Sequence, residues 1–249
     1  MQINVKELKN VLRKATLNFS LDSVQLNISR ENISSRMTTQ ANNAIIILNM
    51  ANNVIPSLRA DVTLNFQDPN KTLTPYLALI NDDDTTDILI EPEKVILVTG
   101  NQKANIFFCS PMVVSTFERD RVRAGTAYFT EFDLTDDFMR QFSMIKKIGP
   151  GFGKIYFSVD DNKLIMETTD KTNMYAGGLK FELHEVNEPS LSMCFDYRNF
   201  INVMSSIGED YEAFKMSLTF VRDAGLGMAY LSKDDESEKY YLMSTNDNA

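Results

Sequence analysis

The chain is poor in the residues on which most enzyme and metal chemistry rests. Its 249 residues include no tryptophan, one histidine and two cysteines. A single imidazole, His184, at the end of the strand-like "LKFELHE", leaves no room for a histidine-rich metal centre. No nucleophile stands near it in sequence, so it reads as an edge or structural residue. Cys109 and Cys194 lie far apart, outside any CxxC spacing, and each sits in an apolar run. That excludes a disulfide framework and a zinc knuckle, and fits buried free thiols in a reducing cytosol. Glycine (10) and proline (7) are sparse and no segment is of low complexity, which excludes collagen-like and linker-type chains. Long apolar runs are missing: none approaches the roughly 20 residues of a membrane span. No apolar leader core is expected either, because charge interrupts the sequence from Lys6 onward. Positive charge is the minority sign, 25 Lys and Arg against 34 Asp and Glu, for a net −9. An overall acidic body excludes a general nucleic-acid coat but permits a local basic surface.

Two motifs fail on inspection. "GPGFGK" (149–154) lacks the spacing of a phosphate-binding loop, and Ile155 stands where Ser or Thr would hold magnesium. The run Asp82-Asp83-Asp84 lacks the ligand pattern of a calcium loop. No catalytic residue, cofactor or metal site is therefore assigned, and the chain is not expected to be an enzyme.

What the chain has in abundance is short alternating segments. "VQLNIS" (24–29), "KVILVT" (94–99), "KIYFSV" (154–159), "KLIMET" (163–168), "KMSLTFV" (215–221) and "KYYLMS" (239–244) each place apolar residues at period two. Polar turns such as Gly100-Asn101 and Asp160-Asp161-Asn162 separate them, the pattern of antiparallel hairpins. Four stretches look helical, each after a capping residue: Asn4, with Glu7 placed to complete a capping box, Thr74 before Pro75, Thr135 and Asp196. The caps are 61–70 residues apart. One helix per such interval, with strands between, predicts four copies of a strand–helix–strand–strand–strand unit. The long connection at 110–131 lies near mid-chain, where a linker between two similar domains belongs.

Three of the helices share a register. Leu8, Leu12 and Ala15; Phe138, Phe142 and Ile145; and Phe200, Met204 and Ile207 form the same apolar stripe. Opposite the stripe stand Lys6, Asn10 and Arg13 in the first helix, with Lys9 and Lys14 on its flanks. The third presents Asp136, Arg140 and Ser143, with Lys146 and Lys147 a turn further on, and the fourth Arg198, Asn202 and Ser205. Acids collect in loops: Asp82 to Asp87; Glu182, Glu185 and Glu188; and Asp234 to Glu236. A set of cationic helix faces would bind phosphate charge without reading sequence.

The four-unit order, the "KYYLMS" end and "LALINDDDTTDI" (77–88) together resemble the DNA sliding clamps, which include proliferating cell nuclear antigen and the T-even phage polymerase clamp. The resemblance spans nearly the whole chain. It implies an α+β clamp fold: domains 1–112 and 131–249 joined by a connector at 113–130, each of two βαβββ units, with helices on one face of antiparallel sheets. It also implies a job, as a polymerase processivity factor that closes as a homotrimeric ring around duplex DNA. The DNA-facing residues would be Lys6, Lys9, Asn10, Arg13, Lys14, Arg140, Lys146, Lys147, Arg198 and Asn202. A partner-peptide pocket would draw on Ile45, Ile47, Val113, Phe117, Tyr241, Leu242 and Met243. Partners would be DNA polymerase, a clamp loader and, for clamps of the phage type, transcription machinery, with no membrane partner. Subunit contacts would be edge-strand pairings, with candidates at 104–109 and 173–180. The place of action would be the cytoplasm, that of a bacterial host if the chain is phage-encoded. A monomeric clamp-fold subunit that holds DNA directly by charge stands as the alternative.

Overall fold

A computed structural model describes residues 1–82, 84–119, 128–148, 151–171, 177–186, 192–221 and 226–245. The chain divides into two compact units, one of residues 1–41 and 45–120, the other of 42–44 and 121–249.

The first unit runs β1 (Gln2–Ile3), α1 (Val5–Ala15), β2 (Ser23–Ile28), β3 (Asn32–Thr38) and β4 (Ala44–Ala51). It continues with β5 (Val62–Gln67), α2 (Pro69–Thr72), α3 (Thr74–Leu77), β6 (Thr86–Ile90), β7 (Lys94–Thr99) and β8 (Gln102–Phe107). The second unit repeats the plan. Its first half is β9 (Tyr128–Asp133), α4 (Asp136–Ile148), β10 (Lys154–Asp160), β11 (Lys163–Thr169) and β12 (Gly178–Glu185). Its second half is β13 (Ser192–Asp196), α5 (Tyr197–Ile207), β14 (Phe214–Val221), β15 (Leu226–Lys233) and β16 (Glu238–Met243). Four βαβββ repeats follow one another, as the cap spacing predicts.

Within each unit the repeats exchange their first strands. β1 joins the sheet of the second repeat, in the order β1-β6-β7-β8, and β5 joins that of the first, in the order β5-β2-β3-β4. In the second unit β13 completes β12-β11-β10-β13, while β9 lies beside β14 in the order β16-β15-β14-β9. These ladders are antiparallel, with Gln2 opposite Asp87 and Lys154 opposite Asp196. Period-two burial makes one face of each sheet core: Ile88, Val95, Leu97 and Ile106 in the first unit, and Ile155, Phe157, Leu164 and Met166 in the second, are all buried. The free edges include β8 and β12, which cover or overlap the two candidate edge segments. Residues 173–176 of the second segment lie outside the described residues.

The helices follow their caps. Asn4 Oδ1 accepts the Glu7 N–H at 3.1 Å, Thr135 Oγ1 the Phe138 N–H at 3.3 Å, and Asp196 Oδ1 the Asn199 N–H at 2.8 Å. The capping box at Glu7 does not close, because the Asn4 N–H is already bonded to the Val54 carbonyl at 2.9 Å. Gly208, at φ 67, ends α5. The second repeat departs from one helix to two short ones. Pro75 brings no N–H to continue the α2 ladder, so the turns of α2 and α3 stay separate, and Thr74 is the first residue of α3 with Leu73 at its cap position. The shared stripe holds on α4 and α5, where Phe138, Phe142, Ile145, Phe200, Met204 and Ile207 are buried. On α1 it shifts: Leu8 is half-buried, and Val5, Val11, Leu12 and Ala15 carry the packing.

Candidate nucleic-acid interface

Across α1, α4 and α5 the sequence places eight cations and three acids, the reverse of the chain's overall balance. On α1, Lys6 is exposed, while Asn10 and Arg13 are half-buried and joined by an Arg13 Nη2–Asn10 Oδ1 bond of 2.9 Å. Lys9 is bound to the second repeat: its Nζ donates to the Ile80 carbonyl and to Asp82 Oδ1, each at 2.7 Å. Part of its charge is thereby neutralised by the acidic loop, a screened exchange at the surface.

Lys14 departs from the expected face. It is 1% exposed, one of the largest fully buried side chains. The chain reverses directly after the helix. Leu17, Asn18 and Phe19 take positive φ in succession (48, 55 and 61°), and the Asn18 N–H returns to the Arg13 carbonyl at 2.7 Å. Left-handed backbone costs L-residues about 1–2 kcal/mol each. Burial of Leu17 and Leu21 offsets that cost.

In the second unit α4 and α5 lie side by side. Lys146 Nζ donates to Ser205 Oγ at 3.2 Å, Tyr197 Oη donates to the Lys146 carbonyl at 3.0 Å, and the Phe142 and Phe200 rings meet at 6.1 Å. This pairing gathers Arg140, Lys146, Lys147, Arg198 and Asn202 onto neighbouring helices. Arg140 is paired within its own helix to Asp137, and Asp136 accepts the Tyr211 hydroxyl. Lys6, Lys147 and Arg198 are exposed and take part in no ion pair among the described residues.

The expected peptide-pocket residues are dispersed in burial. In the first unit, Ile45 and Ile47 are 5% and 8% exposed on β4, opposite Thr38 and Arg36 of β3. The start of the connector runs beside β3: the Thr38 N–H bonds the Ser115 carbonyl at 3.1 Å, and the Phe117 N–H the Arg36 carbonyl at 3.0 Å. Phe117 is half-buried, Val113 is 50% exposed and its neighbour Met112 95%. Residues 120–127 of the connector lie outside the described residues. In the second unit, Tyr241 stacks on Tyr230 at 4.7 Å and Leu242 is 1% exposed, while Met243 is half-buried. Leu242 is thus a core residue of its sheet here, and an acidic replacement would test folding before binding. No pattern in the residues marks the exposed Met112, or the exposed Leu79 at 69%.

His184 Nε2 lies 2.9 Å from Thr130 Oγ1, and its ring packs on Phe132 at 5.0 Å. Burial holds its pKa below the ordinary imidazole value. Among the described residues no group of three or more His, Cys, Asp or Glu side chains converges as a metal site, and no helix is long and apolar enough to cross a membrane.

Against solved structures, the chain aligns over 99% of its length with 98% of A. fulgidus PCNA, solved with the C-terminal region of FEN-1 bound, at 13% identity and TM-score 0.65. This is the DNA-clamp fold. The clamp of Entamoeba histolytica, its proliferating cellular nuclear antigen, matches at TM-score 0.68 and 11% identity, covering 98% of both chains. The DNA polymerase III beta chain of Streptococcus pneumoniae matches at TM-score 0.71 and 12% identity. There, 99% of this chain spans 64% of the bacterial clamp. No protein-family model matches the sequence, and no curated protein is similar to it. The likeness is one of topology, with the same fold at 11–13% identity.

Proposed function

We propose that this protein is a polymerase processivity factor: a sliding clamp that closes as a homotrimer around duplex DNA and tethers polymerase and other replication proteins. The observation that carries this reading is the segregation of charge on a clamp fold. A chain of net −9 places eight of its 25 cations and only three of its 34 acids on α1, α4 and α5, with Lys6, Lys147 and Arg198 exposed there. Phosphate attraction of this kind is blind to sequence and weak per contact, which suits a ring that must move along DNA. Acidic outer loops would discourage adsorption elsewhere. A clamp loader and, in a phage setting, transcription machinery belong to the same reading, as does action in the cytoplasm. Of the proposed partner-peptide pocket residues in the first unit, Val113 and Phe117 are the more accessible, with the neighbouring Met112 exposed beside them.

The structure sharpens the test. Lys9 is committed to Asp82 and Lys14 is buried, so the informative variant is Lys6→Ala/Lys147→Ala/Arg198→Ala. Light scattering on the wild type should give three times the 28.3 kDa chain mass. The triple variant should keep that mass and lose several-fold in polymerase stimulation, with a shallower salt dependence of DNA binding. Undiminished stimulation would reduce the face to solvated surface, and a monomeric wild type at micromolar concentration would overturn the ring.

A further inference from the structure

The two units hold their helix cations differently. In the second unit Lys146 reaches from α4 to α5 and donates to Ser205 Oγ at 3.2 Å, a neutral acceptor that leaves its charge intact. Lys147 and Arg198 stand exposed on the same two helices, in no ion pair among the described residues. In the first unit the reach from α1 to the second repeat ends on a carboxylate instead. Lys9 Nζ donates to the Ile80 carbonyl and to Asp82 Oδ1, each at 2.7 Å. Of the other cations of α1, Lys14 is buried, and Arg13 is half-buried with its Nη2 on Asn10. Lys6 is left as the exposed one.

Asp82 is set in place for this contact. The turn that carries it is closed from both ends: the Asn81 N–H donates to Asp84 Oδ2 at 2.8 Å, and the Asp84 N–H to the Asn81 carbonyl at 3.1 Å. Ile80, whose carbonyl takes the second Lys9 bond, is buried and anchors the start of the turn. Both side chains of the pair remain open to water, Lys9 at 31% and Asp82 at 50%. An exposed ion pair of this kind contributes little to stability. Its larger effect is on what else can approach. A lysine ammonium is a compact point charge that can donate equally to a carboxylate or a phosphate oxygen. While Asp82 holds Lys9, an incoming phosphate must displace an acceptor already in position and approach a negative charge.

We propose that Asp82 is a built-in competitor for DNA phosphate: it occupies Lys9, keeps the helix face of the first unit weakly attractive, and leaves Lys146, Lys147 and Arg198 of the second unit to carry most of the contact. This rests on the clamp reading and adds to it a residue that limits the grip. Each phosphate neutralised adds its own salt-dependent share of affinity. A lysine withheld from phosphate therefore lowers the hold on DNA without removing the cation from the surface.

The experiment measures binding of a short linear duplex over a salt series, by fluorescence anisotropy. Asp82→Asn keeps an oxygen acceptor for Lys9 and removes the charge. It should tighten binding several-fold at low salt and steepen the slope of log affinity against log salt by about 0.9 for each Lys9 that gains a phosphate. Lys9→Gln alone should leave the slope unchanged, because the clasped Lys9 neutralises no phosphate. Adding Lys9→Gln to Asp82→Asn should return the slope to the wild-type value. A mere change of net charge would act alike in both backgrounds, so the dependence of the Lys9 effect on Asp82 is the decisive readout. Asp82→Ser repeats the test should the Asn variant fail to fold. A lowered urea midpoint of Asp82→Asn with an unchanged salt slope would make the pair a brace between repeats and overturn the competitor. So would a Lys9→Gln slope as shallow as that of Lys6→Gln. If Lys6→Gln shallows the slope and Asp82→Asn changes nothing, the basic face stands and the competitor alone fails. If neither these variants nor Lys6→Ala/Lys147→Ala/Arg198→Ala alter binding, the helix face does not meet DNA, and the clamp reading of that face falls with the competitor.

Discussion

His184 shows how one side chain can carry a pH dependence for the second unit. Its ring is packed on Phe132 and bonded to Thr130, and burial depresses its pKa even though Asp133 and Asp137 line the same groove. A folded-state pKa below the unfolded value means that the neutral ring is the one the fold accommodates. The contribution to stability is fully present above the unfolded value of about 6.5. It is lost as pH falls through the lower folded value. His184→Gln keeps a hydrogen-bonding group and cannot titrate. Urea midpoints of wild type and variant should therefore run parallel above about pH 7 and converge or cross on acidification toward about pH 5, with the wild type losing more. Parallel curves throughout would remove the imidazole from this role. At the same scale, the basic residues of the candidate face were legible, since Lys6, Lys147 and Arg198 stand where the helical register puts them. The burial of Lys14 was not, nor were the three successive left-handed residues that follow its helix, which no local propensity announces.

Among the elements, α1 is the one whose end chemistry is most open to measurement. Asn4 is exposed, and its side chain satisfies one of the helix's unpaired N–H groups. Asn4→Ala should cost about 1 kcal/mol, read as a lower urea midpoint with unchanged slope. Asn4→Gly should cost only a few tenths of a kcal/mol. Equal losses would mean that the cap is not the source. The strands whose two faces differ were readable from their own residues. β7 falls on 94–99, as its alternation predicts, and β10, β11 and β16 shift by no more than a residue. The first strand of each repeat was harder to read. β1 has two residues, and its partner is near Thr86–Asp87, so no window of sequence contains the pair. The split of α2 from α3 follows from Pro75, which sequence shows, but the second short turn before it begins after Asp68 at φ 46. That backbone state has no residue signature other than a tolerance for Asp and Asn.

For the whole molecule, the ring reading separates topological from adhesive retention. A closed ring should remain on a nicked circular duplex at salt concentrations that release it from the linear form, where it leaves by the ends. A monomer holding DNA by charge should be released from both forms alike, steeply with salt. Gel filtration of labelled protein on the two templates distinguishes them, and equal release would favour the monomeric subunit. A different consequence follows from the exchanged first strands. Met1 donates its amino group to the Ile88 carbonyl, and residues 2 and 3 complete a sheet otherwise built from residues 86–107. β5 returns the same service to the first repeat. A single repeat therefore lacks one of its own sheet's strands, and the smallest autonomous piece is a pair. Folding of each unit must await contacts between segments more than eighty residues apart, as with Gln2 and Asp87, which sets a slow and all-or-none step on a chain whose hairpins can form early.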